Sequence, residues 1–234
     1  MDTADFLSAV EREGRAFLAA GALDPIAPVE HCPDWDVEGL VRHVVGVWAF
    51  MTAQVEAADP NEMVKPERDS SSPAERLDRL VAALSTAEPS APCWNWCPPG
   101  DRTAAWVARR MAHETAVHRW DAENAVGEAA PLDAELACDG VDEILDVAWR
   151  YQMGGPVTDF PTSTLHLHRT DGEGEWLLSA GDEGLIVTHE HAKGDVAARG
   201  TASDLALLVW GRRMPGIEVF GDEADLAAWL ALAP

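Results

Sequence analysis

The stretch Met111–Ala122, MAHETAVHRWDA, decides how the chain is read. Glu114 and His118 stand four residues apart, so on a helix both side chains leave one face, a turn apart. A carboxylate and an imidazole so placed supply two ligands of a zinc-type site, and a third comes readily from a neighbouring helix. His43 is the candidate, within EGLVRHVVGVWAF (38–50) and beside Val44, Val45 and Val47. A bundle would enclose it there, and an enclosed neutral ring needs a partner, for which a metal ion serves. The plainer readings are an exposed i,i+4 pair for Glu114 with His118 and a carbonyl-bonded core ring for His43; the three residues together favour metal. His113 points about 100° away from Glu114 around the helix and reads as a supporting or surface group, with an exchange of roles between His113 and His118 left open. Asp121, three residues past His118, is placed to orient an imidazole.

Outward from this block, the first 150 residues read as helices. Asp5–Ala20 carries Phe6, Val10, Phe17 and Leu18 as an apolar stripe. Asp36 is a natural N-cap for a long helix reaching about Ala58, and Ser72-Pro73 opens a third helix with Leu77, Leu80, Val81 and Leu84 inward. Thr103–Val126 is the fourth, closed by Gly127 at a C′ position, and Leu132–Tyr151 gives one more. The loop EPSAPCWNWCPPGD (88–101) is too rich in proline to be helical.

After Gly154-Gly155-Pro156 the pattern changes to short, turn-bounded strands at Ser163–Arg169, Glu175–Ser179, Gly184–His189 and Asp195–Arg199, with a hairpin turn at Asp171-Gly172. A helix capped by Thr201 or Ser203, a strand at Ile217–Phe220 and a closing helix at Glu223–Leu232 follow. The predicted fold class is α+β: a helical bundle over 1–154 and a small α+β domain over 155–234.

Lys+Arg 17 against Asp+Glu 41 gives a net charge of −24, which repels nucleic acid and anionic membrane surfaces. No apolar run reaches the roughly 18 residues of a bilayer span, and the acidic N-terminus MDTADFLSAVERE is unlike a signal peptide. A cytoplasmic protein is expected, monomeric or homodimeric, with Cys32, Cys93, Cys97 and Cys138 reduced.

Three further groups have two readings each. Trp94 and Trp96, within Cys93-Trp94-Asn95-Trp96-Cys97, either wall a pocket near the metal or pack the core; the x3 cysteine spacing suits neither a redox dithiol nor a zinc knuckle. Arg212 either recognises a carboxylate or caps its own helix, and Arg110 lies four residues before Glu114, placed to pair with it. His166 with His168, and His189 with His191, each share a strand face; surface histidines are the expectation, with a second metal site the rarer alternative.

CPDWDVEGLVRHVVGVW (32–48), MAHETAVHRWDAENAVG (111–127), GTASDLALLVWGRR (200–213) and IEVFGDE (217–223) together resemble the mycothiol-dependent maleylpyruvate isomerase family. The likeness runs through nearly the whole chain in order, and the HE-x3-H block with its upstream histidine is its most specific part. The resemblance implies a DinB-like four-helix bundle that binds zinc or another divalent metal through His43, Glu114 and His118, with an open fourth position, followed by a smaller C-terminal α+β domain. It also implies mycothiol as thiol cosubstrate, deprotonated on the metal. In an isomerase the thiolate adds to the double bond of maleylpyruvate, permits rotation and leaves. In an S-transferase it stays on a small-molecule electrophile. The reading from another class is a non-catalytic metal- or small-ligand-binding protein, a sensor or stress-response factor. A metal-dependent hydrolase ranks last, since no further residue suggests itself as general base.

Overall fold

Thr103 accepts a hydrogen bond from the Trp106 amide and opens the 22-residue helix α4 (Ala104–Ala125). The same device starts the three helices before it. Asp2 and Ser72 form capping boxes on α1 (Thr3–Gly21) and α3 (Pro73–Thr86), and Asp36 caps α2 (Val37–Ala57). Gly127, at φ 82°, supplies the left-handed residue just past the end of α4. The computed structural model describes residues 1–67, 70–97, 99–127, 129–152 and 155–234.

The chain divides into two units, Met1–Ala130 and Pro131–Pro234. In the first, α1–α4 form the expected bundle, with α4 packed on α1 and α2. Phe6, Val10 and Phe17 of α1, Val44 and Trp48 of α2, and Leu77, Leu80 and Leu84 of α3 are buried, whereas Leu18 and Val81 lie at the margin. Two polar ties hold α4 in register. The Arg119 guanidinium donates to Glu13 on α1 (2.9 Å), to Glu123 (2.6 Å) and to the Ala130 carbonyl (2.7 Å). On the other side, the Trp48 indole of α2 donates to Thr115 (3.0 Å). Glu13, Trp48, Thr115 and Arg119 are buried, so each would be costly if left unmatched.

The second unit begins earlier than the expected boundary at 154/155, and Gly154 itself lies outside the described residues. The reason is α5 (Ala134–Asp146), which packs on α6 (Ala202–Val209) within that unit. α5 also stops short of Tyr151. The turns after it send the Trp149 indole to the Val209 carbonyl (3.1 Å) and stack its ring on Trp229 (6.1 Å between centroids). A two-stranded pair, β1 (Tyr151–Gln152) with β2 (Gly155–Pro156), follows. The main sheet has the order β5-β4-β3-β6-β7, from β3 (Leu165–Arg169), β4 (Glu175–Gly181), β5 (Gly184–Thr188), β6 (Val196–Gly200) and β7 (Glu218–Phe220). β3 and β6 are parallel and the other neighbours antiparallel.

Alternation sorts the sheet into two faces. Leu165 pairs with Leu178 and Leu167 with Trp176 on the apolar face, all four buried, each contributing about 1.5–3 kcal/mol by leaving water. His166 pairs with Leu177 and His168 with Glu175 on the other face. α7 (Glu223–Leu230), capped by Asp222, touches β3 and β6. Two details differ from expectation. The Asp171-Gly172 turn is part of a wider loop, because Asp171 is engaged by the Arg169 guanidinium (2.9 Å) and the Ala202 amide (3.0 Å). β5 ends at Thr188, so His189 and His191 lie beyond the strand. Among the described residues, no helix is long and apolar enough to cross a membrane.

Candidate metal centre

α4 carries an unusual load of buried polar side chains: Arg110, His113, Glu114, Thr115, His118, Arg119 and Asp121. A helix interior tolerates such groups only where each has a partner. His113 sits edge-on against Phe6 (5.9 Å), which turns it toward α1 and away from Glu114. Glu114 and His118 face α2 instead, where His43 meets them.

The coordinating atoms of His43, Glu114 and His118 all lie within 4.8 Å of one another. Each histidine Nε2 stands 3.4 Å from the same oxygen, Glu114 Oε1. That distance is long for a charge-assisted hydrogen bond, which closes to about 2.7–2.9 Å. It matches the roughly 3.3–3.4 Å between ligand atoms in a tetrahedral zinc site with bonds of about 2.0–2.1 Å. The donor set therefore fits a divalent ion seated among the three side chains. His118 and Glu114 are buried, while the His43 side chain keeps 36% of its exposure. His43 is thus the wet side of the cluster, with the Trp35 ring 4.7 Å from its own.

The supporting contacts fix the orientation of each ligand. Asp121 Oδ2 lies 2.9 Å from His118 Nδ1, which leaves Nε2 to face the cluster. Arg110 donates to the second oxygen of Glu114 (2.8 Å), leaving Oε1 for the histidines. Burial pushes the Glu114 carboxyl up, but Arg110, His118 and His43 outweigh it and hold the group well below the usual carboxylate range. Burial likewise pulls His118 down, yet Asp121 and Glu114 on either side raise it to about 9. In the absence of an ion His118 is therefore a cation at neutral pH, and binding one displaces its proton.

The other candidate residues are placed as follows. Trp96 meets Trp106 edge-on (4.9 Å), and the Arg110 guanidinium lies 6.0 Å from a Trp96 ring centre. Trp96 is thus one contact removed from Glu114. Trp94 packs edge-on against Phe50 of α2 (5.8 Å). Arg212, in the second unit, is buried and donates to the Trp210 carbonyl (2.5 Å), with its guanidinium 5.8 Å from the Trp210 ring centre. All four cysteines are free thiols, and burial pushes Cys93 up to about 12.

A second group was weighed in the sequence only as a rarer alternative. His166, His168 and His191 gather around Glu175, whereas His189 turns to Asp142 (3.7 Å). The His-x-His of β3 was visible in sequence; Glu175 was not, because only strand register sets it opposite His168.

A bundle bearing a two-histidine, one-carboxylate cluster, followed by an α+β unit, defines the class of protein. Residues 7–123 match the family model described as the mycothiol maleylpyruvate isomerase N-terminal domain, and residues 135–228 match the corresponding C-terminal domain. The chain belongs to the mycothiol-dependent maleylpyruvate isomerase family. Its fold is similar to a crystal structure of the mycothiol-dependent maleylpyruvate isomerase at a TM-score of 0.59 and 15% identity, covering 94% of this chain and 93% of that one. A histidine-to-alanine variant of that enzyme aligns with the same TM-score and coverage at 13% identity. No curated protein sequence matches the chain.

Proposed function

We propose that this protein is a zinc-dependent enzyme that uses a low-molecular-weight thiol, mycothiol, as its nucleophile, acting as a maleylpyruvate cis–trans isomerase or as a thiol S-transferase. The observation that carries the reading is the spacing of His43, Glu114 and His118, at 3.4 Å from each imidazole to one carboxylate oxygen. Three protein ligands and an open corner describe a catalytic rather than a structural site. A zinc ion held there would lower the pKa of a thiol bound at that corner and so supply a thiolate at neutral pH.

The chain's own residues do the remaining work. Asp121 keeps the His118 ring turned, and Arg110 offsets the charge of Glu114 while fixing which oxygen faces inward. Trp96 abuts Arg110 and, with Trp94, is assigned to the pocket wall. Cys93 lies deep in the bundle with its pKa pushed to about 12, so it supplies no thiolate, in keeping with a sulfur brought in by a cosubstrate. A reducing cytoplasm suits both that thiol and four free cysteines.

Metal analysis of the wild type and of His43→Ala, Glu114→Ala and His118→Ala, followed by thiol-dependent turnover of maleylpyruvate or of a bimane electrophile, tests the proposal. The expected result is bound zinc in the wild type, loss in each variant, and turnover only with thiol present. Isomerised product with thiol regenerated marks the isomerase; a thioether marks the transferase. Zinc unchanged by all three substitutions ends the site assignment, and no turnover with any small thiol leaves a metal-binding protein without catalysis.

A further inference from the structure

We propose that His166, His168, Glu175 and His191 form a second divalent-cation site, in the α+β unit, of closed four-ligand type and suited to a borderline first-row ion such as zinc. His166 and His168 alternate onto one face of β3, and antiparallel register puts Glu175 of β4 directly opposite His168 on that face. His191 returns from beyond β5 to complete the group. Its ring centre lies 5.4 Å from that of His166 and 5.6 Å from that of His168. One donor atom from each of the four residues lies within 4.8 Å of the others.

Three rings converge on one carboxylate. Glu175 Oε2 is 2.6 Å from His166 Nε2, and Oε1 is 2.6 Å from His168 Nδ1 and 3.0 Å from His191 Nδ1. Three imidazoles and one carboxylate are a complete tetrahedral ligand set for zinc, and suit nickel, cobalt or copper as well. The carboxylate occupies the focus to which the rings point. For an ion to sit at that focus the Glu175 side chain, about a quarter exposed, would have to swing aside.

The segment bearing His191 is held in place independently of any ion. Asp195, just beyond it, accepts from the Thr164 amide and hydroxyl (both 2.8 Å) and donates its own amide to the Thr164 hydroxyl (2.9 Å). Gly194 lets this backbone lie tight on the start of β3: a Cβ there would come within 2.7 Å of the Val196 carbonyl and 3.0 Å of the His166 amide. The loop is therefore delivered to the strand before a ligand arrives, which is the preorganisation a binding site needs.

The test uses the full chain stripped of metal by chelator and titrated with zinc chloride alone. The wild type should take up two equivalents and His43→Ala one. His43→Ala combined with His168→Ala and His191→Ala should take up none, with the remaining affinity at least ~100-fold weaker. Zinc should raise the Tm of His43→Ala but leave that of the triple variant unmoved. His191 is mostly exposed, so His191→Gln alone serves as the variant least able to disturb folding, and it should weaken the second equivalent without changing the metal-free Tm. A wild type that binds a single equivalent, lost in His43→Ala, overturns the proposal. So does a second equivalent that persists without His168 and His191. If both equivalents survive His43→Ala, the bundle assignment fails while His168 and His191 still decide this one.

Discussion

The two histidine clusters show how secondary structure shapes a ligand set. In the bundle, Glu114 and His118 come from one helix at i,i+4 and His43 from another, and each imidazole nitrogen stops 3.4 Å from the carboxylate oxygen. In the sheet, His166, His168 and Glu175 come from adjacent strands and close onto one another at 2.6 Å. In the bundle the stand-off is local to this cluster, between α2 and α4, which Trp48 ties to Thr115; elsewhere the same helices do bring heads together, as Arg119 and Glu13 show. Paired strands bring opposing side chains into contact by construction. A stand-off with a vacant corner suits chemistry; a closed ring of four suits structure.

The sharpest way to break this contrast is Glu114→Ala. Removing the shared oxygen and leaving Arg110 without its carboxylate should abolish zinc retention and cut thiol-dependent turnover by more than the ~100-fold typical of outer-shell changes, as read by metal analysis and initial rates. Zinc uptake attributed to the sheet should be untouched. Next in size is Arg119→Ala, which leaves Glu13, buried beside α4, with only the half-exposed Arg12 (2.9 Å) as its cation. A loss of about 1–3 kcal/mol in urea unfolding is expected, and it should fall on the transition of the helical unit. A loss under about 1 kcal/mol would show that Arg12 alone satisfies the buried Glu13.

Asp121→Asn keeps the shape but weakens the hold on the His118 ring. Zinc affinity should fall about 10–100-fold by competition with a chromophoric chelator, with the fold intact. Asp171→Ala probes the sheet unit and should cost about 1 kcal/mol, a modest figure because solvent screens a side chain about a third exposed. Burial pushes this carboxyl up, but Arg169 and the Ala202 amide hold it lower than in the unfolded chain. Its contribution is therefore present above the unfolded pKa and disappears as pH falls through the folded one. The variant and the wild type should converge in stability as pH falls through the folded-state pKa of Asp171, which lies below that of the unfolded chain.

What the sequence made readable follows from locality. Asp36, Ser72 and Thr103 declare their helices through bonds spanning three residues, and Glu114 with His118 declares a face through one helical turn. The allegiance of α5 was not readable, since its apolar stripe states only that something is buried, not against what. Glu13 of α1 and Arg119 of α4 likewise carry no mutual signal across the intervening chain. The fourth member of the sheet cluster depends on register and on the return path of the 189–195 segment, and both are settled by tertiary pairing.

Trp35 lies with its ring 4.7 Å from that of His43, the most accessible member of the bundle cluster. An indole so close to an imidazole is an optical gauge, because its emission responds to charge on the neighbouring ring. Occupation of the bundle should therefore change the intrinsic fluorescence in a way that Trp35→Phe removes, giving a label-free signal that distinguishes events at His43 from events at the sheet.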